Sequence, residues 1–507
     1  MTTESKGWKR RQRRALASAL VLFTILAVVF GLRRPWVRPL PGMRIEPTRP
    51  IRQASDFGPA SGYALLVDAI AEPKGADPLT RIWADSWQDA GVKLERHPWP
   101  TELPPAMPAA GPGQPSLKKR APWTLDQCRD IERLAALHEP KVALLARALA
   151  ASDLRVPSAI SSTARMSYMS RVRIFTEWLC IDAQRHAAIG DYRAAIRDID
   201  RILGMSNAIC RGGSLFSVGV ARNCVGDAAD ATWLITTRYS LPEADLVALA
   251  KSFLTHDEQS EPLAEVFRHE VLAAKETAAE VYRRQSLRWV GSWGPGPGSS
   301  PTLKTVSSLA FALARATGSS YSATARNLDN CYRQLITFTE RPYSAAVDAE
   351  FRDFIRGLAP SRVGHSSLFF RTRDPIGLIC ASPYASACEG VLVTAACRDA
   401  TLRGMAAFCA VKAYQAKHGR LPKTLAELVP DYLPNVPTDP FDGKPLRYLR
   451  NHVPGLPAGA WAVYSISQGF VDEGGTAYSA GSLSGKRVRN PDLVWPSQPY
   501  PEKMPAK

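Results

Sequence analysis

An uninterrupted apolar run from Ala15 to Leu32 constrains this chain more than any other feature of its sequence. The eighteen residues of the run carry no charge, and only Ser18 and Thr24 are polar. At a rise of about 1.5 Å per residue, a helix of this length is just long enough to cross the hydrocarbon core of a bilayer. The run therefore predicts a transmembrane helix over residues 15–32.

The residues on either side of this run set its predicted orientation. Six cationic side chains precede it within residues 1–14, and flanking segments rich in Lys and Arg stay in the cytosol. The run ends in Gly31-Leu32-Arg33, without the pair of small residues that signal peptidase requires. We therefore expect an uncleaved signal-anchor that crosses the cytoplasmic membrane once, with the N-terminus in the cytosol and the C-terminal bulk exported.

The net charge of +17 does not indicate a nucleic-acid partner once its distribution is considered. Residues 1–44 hold ten basic side chains and one acidic side chain, so only +8 is left for the rest of the chain. The sequence also lacks a stripe in which basic and aromatic residues alternate. We expect the membrane and a protein of the cell envelope as partners, and no nucleic acid.

Nine cysteines follow the apolar run, in the part of the chain that is expected to be exported. An oxidising compartment permits disulfides, but the sequence leaves their pairing open, and the odd number leaves at least one thiol unpaired or intermolecular. No C-x-x-C spacing occurs, so neither a zinc ribbon nor a redox pair is expected.

Helical periodicity dominates the exported part, and its clearest instance is a helical hairpin around Gly190-Asp191. The small residue and the turn resemble those of a tetratricopeptide repeat, but no second copy follows at the 34-residue spacing of that family. A peptide-binding solenoid is therefore only a minor alternative. The apolar positions of the hairpin are Ile174, Trp178 and Ile181 before the turn, and Tyr192, Ala195, Ile196, Ile199 and Leu203 after it.

No catalytic, cofactor-binding or metal-binding residue is assigned from the sequence. The histidine and acid pairs at 256–258 and 269–270 come nearest to a metal cluster, but helix surfaces supply such neighbours freely. The S-x-x-K match at 116–119 lies in a Pro-rich segment that offers no rigid scaffold. Seven tryptophans are candidates for ligand platforms, although packing is the commoner use of this residue: Trp99, Trp123, Trp178, Trp233, Trp289, Trp293 and Trp461.

Residues 397–475 carry the most specific pattern of the chain. Leu402, Cys409 and Ala413 belong to one apolar helix face, called the Leu402 face below, and Gly419 can end this helix in the left-handed conformation. Asp442-Gly443 provides a tight turn ahead of two predicted strands. We expect the strands, at 446–449 and 461–467, to pair in antiparallel fashion and to pack on the Leu402 face.

Four segments of this region resemble the C-terminal part of the major pseudopilin of type II secretion. In that family a helix leads to a D-P-[WF]-G-x-P-x-x-Y turn and strand, and then to a Y-S-x-G-x-D-G strand and loop. The preceding body is similar to a family of uncharacterised, membrane-anchored bacterial proteins that end in the same domain. The matching segments are His418-Gly-Arg-Leu-Pro422, Thr438-Asp-Pro-Phe-Asp-Gly-Lys-Pro-Leu-Arg-Tyr448, Val463-Tyr-Ser-Ile-Ser-Gln-Gly469 and Asp472-Glu-Gly-Gly475.

The resemblance implies a fold rather than an activity, because the anchor and the pilin-like helix are separated here by a large helical body. In the pseudopilin the last loop binds calcium through carboxylates and backbone carbonyls. Asp472 and Glu473 lie in the corresponding loop of this chain, but the acidic pair expected downstream is replaced by residues 476–481. No metal is therefore assigned to this loop.

Together these features predict a mainly α protein with one N-terminal transmembrane helix, a large exported helical body with αα-hairpins and a small C-terminal α+β domain. Such a protein is expected to be a membrane-tethered scaffold or interaction protein without catalytic activity, associated with secretion or the cell envelope. The alternative is an exported enzyme whose site is assembled from sequence-distant residues of the helical body. The predicted segments are a cytosolic basic segment (1–14), the anchor (15–32), an extended stalk (33–60), a short helical segment (61–97), a Pro-rich linker (98–122), the helical body (123–396, with a Gly/Pro-rich break at 291–301), the pseudopilin-like domain (397–480) and a disordered tail (487–507).

Overall fold

The computed structural model of the protein describes nine stretches of the chain. The predicted anchor, the Pro-rich linker and the break at 291–301 lie outside them. Within them, no helix is both long and apolar enough to cross a membrane. The described residues are 54–71, 125–157, 167–285, 311–312, 314–315, 319–358, 374–388, 390–476 and 492–498.

The described residues form eleven α-helices and one three-stranded sheet, which confirms the mainly α fold. The helices are α1 (Gly62–Ile70), α2 (Leu125–Ala150), α3 (Ser167–Ala188), α4 (Tyr192–Cys210), α5 (Leu215–Arg238), α6 (Glu243–Glu258), α7 (Leu263–Arg284), α8 (Tyr321–Thr339), α9 (Ala345–Leu358), α10 (Pro375–Cys388) and α11 (Val391–His418), and the strands are β1 (Arg447–Leu449), β2 (Ala462–Ser465) and β3 (Leu493–Pro496).

Helices α1 to α6 and α11 form a first bundle around one hydrophobic core. The predicted hairpin is its clearest part, with α3 packed on α4 and the turn closed by Gly190 at a φ of 84°. Asp191 caps α4 by accepting a hydrogen bond from the Ala194 amide at 3.0 Å. Because α3 also contacts α2 and α5, its buried surface is wider than the predicted stripe. The additional buried residues include Val172, Phe175, Leu179 and Cys180.

Helices α7 to α10 form a second bundle with its own core. A buried ion pair between Lys275 and Asp329 links α7 to α8. Asp374 caps α10 by accepting the Gly377 amide at 3.0 Å, and the same carboxylate accepts a hydrogen bond from Thr324 of α8 at 2.8 Å. The start of α5 and the start of α11 contribute to this core, so the two bundles are joined through these helices.

Helix α11 is the central element of the fold. It packs against α5 and α6 of the first bundle, against α10 of the second bundle and against β2 and β3. Its buried residues lie on every side of the helix, which is typical of a core helix. The predicted domain boundary at residue 397 falls inside α11, and one hydrophobic core joins the first bundle to the sheet. The C-terminal unit, residues 419–476 and 492–498, therefore shares its core with the helical body.

The sheet contacts a different face of α11 from the predicted one. Ring atoms of Trp495 on β3 lie directly against Gly404, and the rings of Phe408 and Trp461 are 5.1 Å apart. Each residue advances by about 100° around an α-helix, so Gly404 and Phe408 lie roughly opposite the Leu402 face. The prediction that the Leu402 face packs on the sheet is wrong.

The Leu402 face points toward the helical body instead. Arg403 binds Asp257 of α6 at 2.8 Å, and the Lys412 ammonium donates to the Thr236 carbonyl at the end of α5 at 2.9 Å. Arg403 and Lys412 lie on opposite sides of α11, and the Leu402 face occupies the half between them that does not carry Gly404 and Phe408. A single apolar face predicts a half-buried helix, whereas neighbours cover α11 on every side.

The sheet has the order β1-β2-β3, and both neighbouring pairs are antiparallel. The predicted pairing of the first two strands is confirmed, and so is the turn before β1, where Gly443 has a φ of 70° and donates to the Asp439 carbonyl at 2.8 Å. The third strand was not predicted. Leu493–Pro496 lie in the segment predicted to be a disordered tail, so that prediction is wrong for these four residues.

The end of the predicted stalk also differs from the extended chain that was expected. Ala54–Asp56 form a short 3-10 helix, and the Phe57 ring lies 4.9 Å from the ring of Tyr63 on α1. An apolar ring at this position packs against α1, which explains why this end of the segment is not extended. Helix α1 lies at the start of the short helical segment predicted for residues 61–97, and residues 72–97 of that segment lie outside the described residues.

Candidate functional site

Asp439 is a fully buried carboxylate in the turn that precedes β1. Its Oδ1 accepts hydrogen bonds from the Phe441 amide at 3.0 Å and from the Ser465 hydroxyl at 2.9 Å. Its Oδ2 accepts the Ile466 amide at 3.0 Å. These bonds satisfy a charge that would otherwise be costly to bury, and they fasten the turn to the end of β2.

Arg447, the first residue of β1, reaches into a group of three carboxylates. Its Nη1 donates to Asp439 at 2.7 Å and to Asp442 at 3.3 Å, its Nη2 donates to Asp442, and its Nε donates to Asp472 at 3.4 Å. We call these four residues the arginine cluster. One guanidinium faces three carboxylates, so the cluster carries a formal charge of −2.

The electrostatics of the arginine cluster favour the charged forms of Asp442 and Arg447. Burial alone would raise the pKa of Asp442, but hydrogen bonds from Arg447 and from the Lys444 amide outweigh it, and the pKa is lowered. Burial also acts against the charge of Arg447, yet the surrounding carboxylates raise its pKa. Asp442 and Arg447 therefore stabilise each other in their charged forms.

The calcium ion that the pseudopilin resemblance implies does not fit these donors. Both oxygens of Asp472 are engaged, since Oδ1 accepts from the Tyr464 hydroxyl at 3.1 Å and from the Gly474 amide at 2.9 Å, while Oδ2 faces Arg447. Calcium takes six to eight oxygen ligands. Here a guanidinium lies where the carboxylates converge.

A fourth carboxylate, Asp492, lies next to the same loop although the sequence placed it in the tail. Its Oδ2 accepts the Gly475 amide at 2.8 Å. Burial raises the pKa of Asp492 to about 6, and the charges of Asp472 and Glu473 add to this, against the opposing effect of backbone hydrogen bonds. Asp492 thus connects the residue before β3 to the loop after β2.

A second polar cluster joins α3 to α4 in the first bundle. Ligand atoms of Asp182, His186 and Asp198 all lie within 4.8 Å of one another, a spacing that could hold a metal ion. Two guanidinium groups occupy the cluster, however, with Arg185 donating to Asp182 at 2.7 Å and Arg201 donating to Asp198 at 2.6 Å. The carboxylates are thus already neutralised, which disfavours a divalent cation.

The histidine of this cluster is also engaged through both ring nitrogens. Arg185 Nη2 lies 2.6 Å from His186 Nε2, and a guanidinium can only donate, so Nε2 accepts and Nδ1 carries the proton. Nδ1 then donates to Asp198 at 3.0 Å. The cluster therefore links the two helices of the hairpin and does not form a metal centre.

The two histidine and acid pairs that came nearest to a metal motif do not come together. His256 lies on α6, where its Nε2 is 3.0 Å from Asp200. His269 lies on α7, where its Nδ1 is 3.0 Å from the Glu265 carbonyl. His256 thus connects α6 to α4, whereas His269 binds the preceding turn of α7. The two histidines therefore do not contribute ligands to one metal site.

Glu270 has a different role, because it caps the start of α5. Its carboxylate accepts the Leu215 amide at 2.9 Å, and burial raises its pKa to about 7, although that hydrogen bond opposes the shift. The folded state therefore holds the proton more tightly than the unfolded chain, whose glutamates titrate near about 4.3. Ionisation of Glu270 destabilises the fold increasingly as the pH rises through this interval.

Glu270→Gln keeps an acceptor for the Leu215 amide and removes the charge. We expect the variant to be more stable than the wild type at pH 8, by on the order of 2 kcal/mol, and equally stable below about pH 4.5. Urea denaturation at both pH values measures this difference. Glu276→Gln, on the exposed side of α7, is the matched control. A difference that stays constant with pH would contradict neutralisation by burial.

A third polar group lies where α6, α11 and the C-terminal unit meet. Arg403 binds Asp257 at 2.8 Å and donates to the Thr438 carbonyl at 3.2 Å. Burial raises the pKa of Asp257, with Arg403 opposing the shift and Asp399 adding to it. These residues are far apart in sequence, and their contacts connect three elements of the fold.

The described cysteines are buried thiols rather than disulfides. Burial raises the pKa of the Cys210 thiol to about 11 and that of the Cys224 thiol to about 12. Because the thiolate is the reactive form, such thiols resist oxidation and exchange. The eight residues are Cys180, Cys210, Cys224, Cys331, Cys380, Cys388, Cys397 and Cys409.

The described tryptophans serve packing rather than ligand binding. Trp178, Trp233 and Trp461 are buried, and the indole of Trp233 donates to the Pro496 carbonyl at 2.6 Å. This hydrogen bond joins α5 to β3. The other four tryptophans named above and the S-x-x-K match at 116–119 lie outside the described residues.

Sequence reasoning missed Asp439 and Arg447, the two residues on which the arginine cluster depends. The available signal was the order of the segment, with Asp439 and Asp442 in the turn and Arg447 at the start of the strand that follows. The comparison of the chain with protein-family models finds no match, and the comparisons with curated proteins and with solved structures find none either.

Proposed function

We propose that the protein is an exported scaffold without catalytic activity, which residues 15–32 hold in the cytoplasmic membrane and which binds a protein of the cell envelope. One observation carries the proposal: the polar clusters of the described residues link elements of the fold to each other. The arginine cluster joins a turn, β1 and a loop, and Asp439 also binds Ser465 of β2. The Arg403 contacts join two helices to the C-terminal unit. A catalytic site needs ionisable groups directed at a substrate.

The central position of α11 supports the same proposal. A helix that is buried against two bundles and a sheet holds them in fixed relative positions. A rigid body of this kind suits a scaffold, because binding of a partner then loses little conformational entropy at the protein surface. Three exposed apolar side chains offer contact points on this body, namely Ile189, Phe216 and Val471.

Site-specific photo-crosslinking in the native cells tests the proposal. A photoreactive residue is placed at Ile189, Phe216 or Val471 of the full chain, and at the exposed Asp353 as a matched polar control. We expect one of the apolar positions to give a single adduct with an envelope protein, and the control position to give none.

A reporter that is active only outside the cytosol, fused after Lys507, checks the topology in the same cells. The anchor proposal fails if the mature N-terminus is found between residues 30 and 45. The scaffold proposal fails if no position gives an adduct, or if the adducts are identical at the apolar positions and at Asp353.

A further inference from the structure

The chain enters the first bundle at one end, on the side from which the predicted anchor is connected. The first described residues, Ala54–Asp56, lead into α1, whose Gly62 amide donates to Asp153 after the end of α2 at 3.1 Å. The Val156 amide, in the same segment after α2, donates to the Arg211 carbonyl just after α4 at 3.0 Å. The start of α1, the end of α2 and the end of α4 therefore lie together.

Helices α3 and α5 begin in the same place. The rings of Tyr63 on α1 and Tyr168 at the start of α3 are 6.4 Å apart, and α5 begins at Leu215, shortly after Arg211. Helix α3 has 22 residues and is therefore about 33 Å long, so the turn at Gly190 lies at the opposite end of the bundle. We call residues 54–63, 147–157, 168–171 and 211–216 the entry end.

Phe216 is the most exposed large apolar side chain of the described residues, and it belongs to the entry end. It is 62% exposed, although its neighbours Leu215 and Ser217 are buried. Exposed aromatic rings together with arginine side chains are typical of protein surfaces that lie in the headgroup region of a bilayer. The entry end has four arginines against two aspartates, namely Arg147, Arg155, Arg171 and Arg211 against Asp56 and Asp153.

We propose that the entry end, with Phe216 in contact with lipid, lies in the headgroup region of the phospholipid bilayer. The inference rests on the proposed function, because it needs residues 15–32 to span that bilayer. A tether that joins the body at this end keeps the entry end at a high effective concentration next to the lipid, so a weak contact is sufficient. Arginine side chains bind phosphate groups, and an aromatic ring prefers the interface between lipid and water.

This orientation gives the two ends of the first bundle different partners. Ile189 directly follows α3 at the far end and is 52% exposed. It stands on the order of 30 Å further from the lipid than the entry end, since the length of α3 separates the two. Ile189 is therefore free to contact an envelope protein, whereas Phe216 contacts the membrane.

Fluorescence quenching by lipid tests the orientation in the full chain, reconstituted into vesicles of phosphatidylethanolamine and phosphatidylglycerol. An environment-sensitive fluorophore is attached to Phe216→Cys or to Ile189→Cys, the matched apolar control, each in a Cys128→Ser background. The other eight native thiols are buried and do not compete for the label. We expect the label at position 216 to show a blue-shifted emission and to be quenched by a lipid that carries a nitroxide near its headgroup. The label at position 189 should show neither effect.

The outcomes separate this inference from the proposed function. A chain that does not float with the vesicles contradicts the anchor, and the orientation with it. A floating chain that is not quenched at position 216, or that is quenched equally at both positions, contradicts the orientation alone. A photo-adduct of position 216 with a protein instead of lipid would likewise overturn the orientation and leave the scaffold proposal standing.

Discussion

Asp439→Ala is expected to destabilise the C-terminal unit by about 3–5 kcal/mol, because it leaves Arg447 and two backbone amides without their shared partner. Asp439 is fully buried, and water cannot replace its bonds without opening the turn. Native-state hydrogen exchange of the amides in β1 and β2 measures the loss locally. This readout reports the stability of the strands that Asp439 fastens, separately from the rest of the chain.

Asp431→Ala provides the matched control for this experiment, since Asp431 is an exposed carboxylate of the same unit. We expect it to change the local stability by no more than about 0.5 kcal/mol. Asp439→Asn should fall between the two, because it keeps the shape of the side chain and loses its charge. A loss below about 1 kcal/mol for Asp439→Ala would show that the turn does not depend on this carboxylate.

Gly404→Ala is the second change with a large expected effect. A Cβ at this position would lie 2.1 to 2.5 Å from three ring atoms of Trp495. Trp495 is buried, so its ring can move only by disturbing β3 or α11. We expect a loss of about 3 kcal/mol from overpacking, which exceeds the gain of about 1 kcal/mol that alanine brings to a helix.

Gly226→Ala on α5 is the control, because a Cβ there meets nothing within 4 Å. That variant should be stabilised by up to about 1 kcal/mol through helix propensity and reduced freedom of the unfolded chain. Urea denaturation followed by tryptophan fluorescence compares the two variants. If both behave alike, Trp495 does not press on α11 as described.

The helices were the most predictable part of the fold, because their apolar spacing is a local signal. The α3–α4 hairpin and its turn at Gly190 follow from periodicity and from the conformational freedom of glycine. The orientation of α11 was not predictable in this way. A helix that is buried all round gives no single apolar face from which the position of a neighbouring sheet can be inferred.

The sheet, too, could be predicted only where its signals are local in the sequence. The pairing of β1 with β2 follows from the Asp442-Gly443 turn and from alternation, which are both local. β3 pairs with β2 across a long separation in the chain, and its four buried residues are too short a run to be recognised as a strand. The arginine cluster was missed for a related reason, since Asp472 meets Arg447 only after the strands have paired.

The hydrogen bond between Trp233 and Pro496 spans 263 positions of the chain. The ribosome synthesises a polypeptide from its N-terminus, so α5 is made long before β3. The hydrogen bond between Trp233 and Pro496 can form only after β3 has been made. Contacts of such high sequence separation slow folding, because a long loop must close before they form. During that interval the apolar surface around Trp233 is open to aggregation or to a chaperone. The timing of the last strand, rather than the strength of any one contact, therefore sets how long this protein stays vulnerable while it folds.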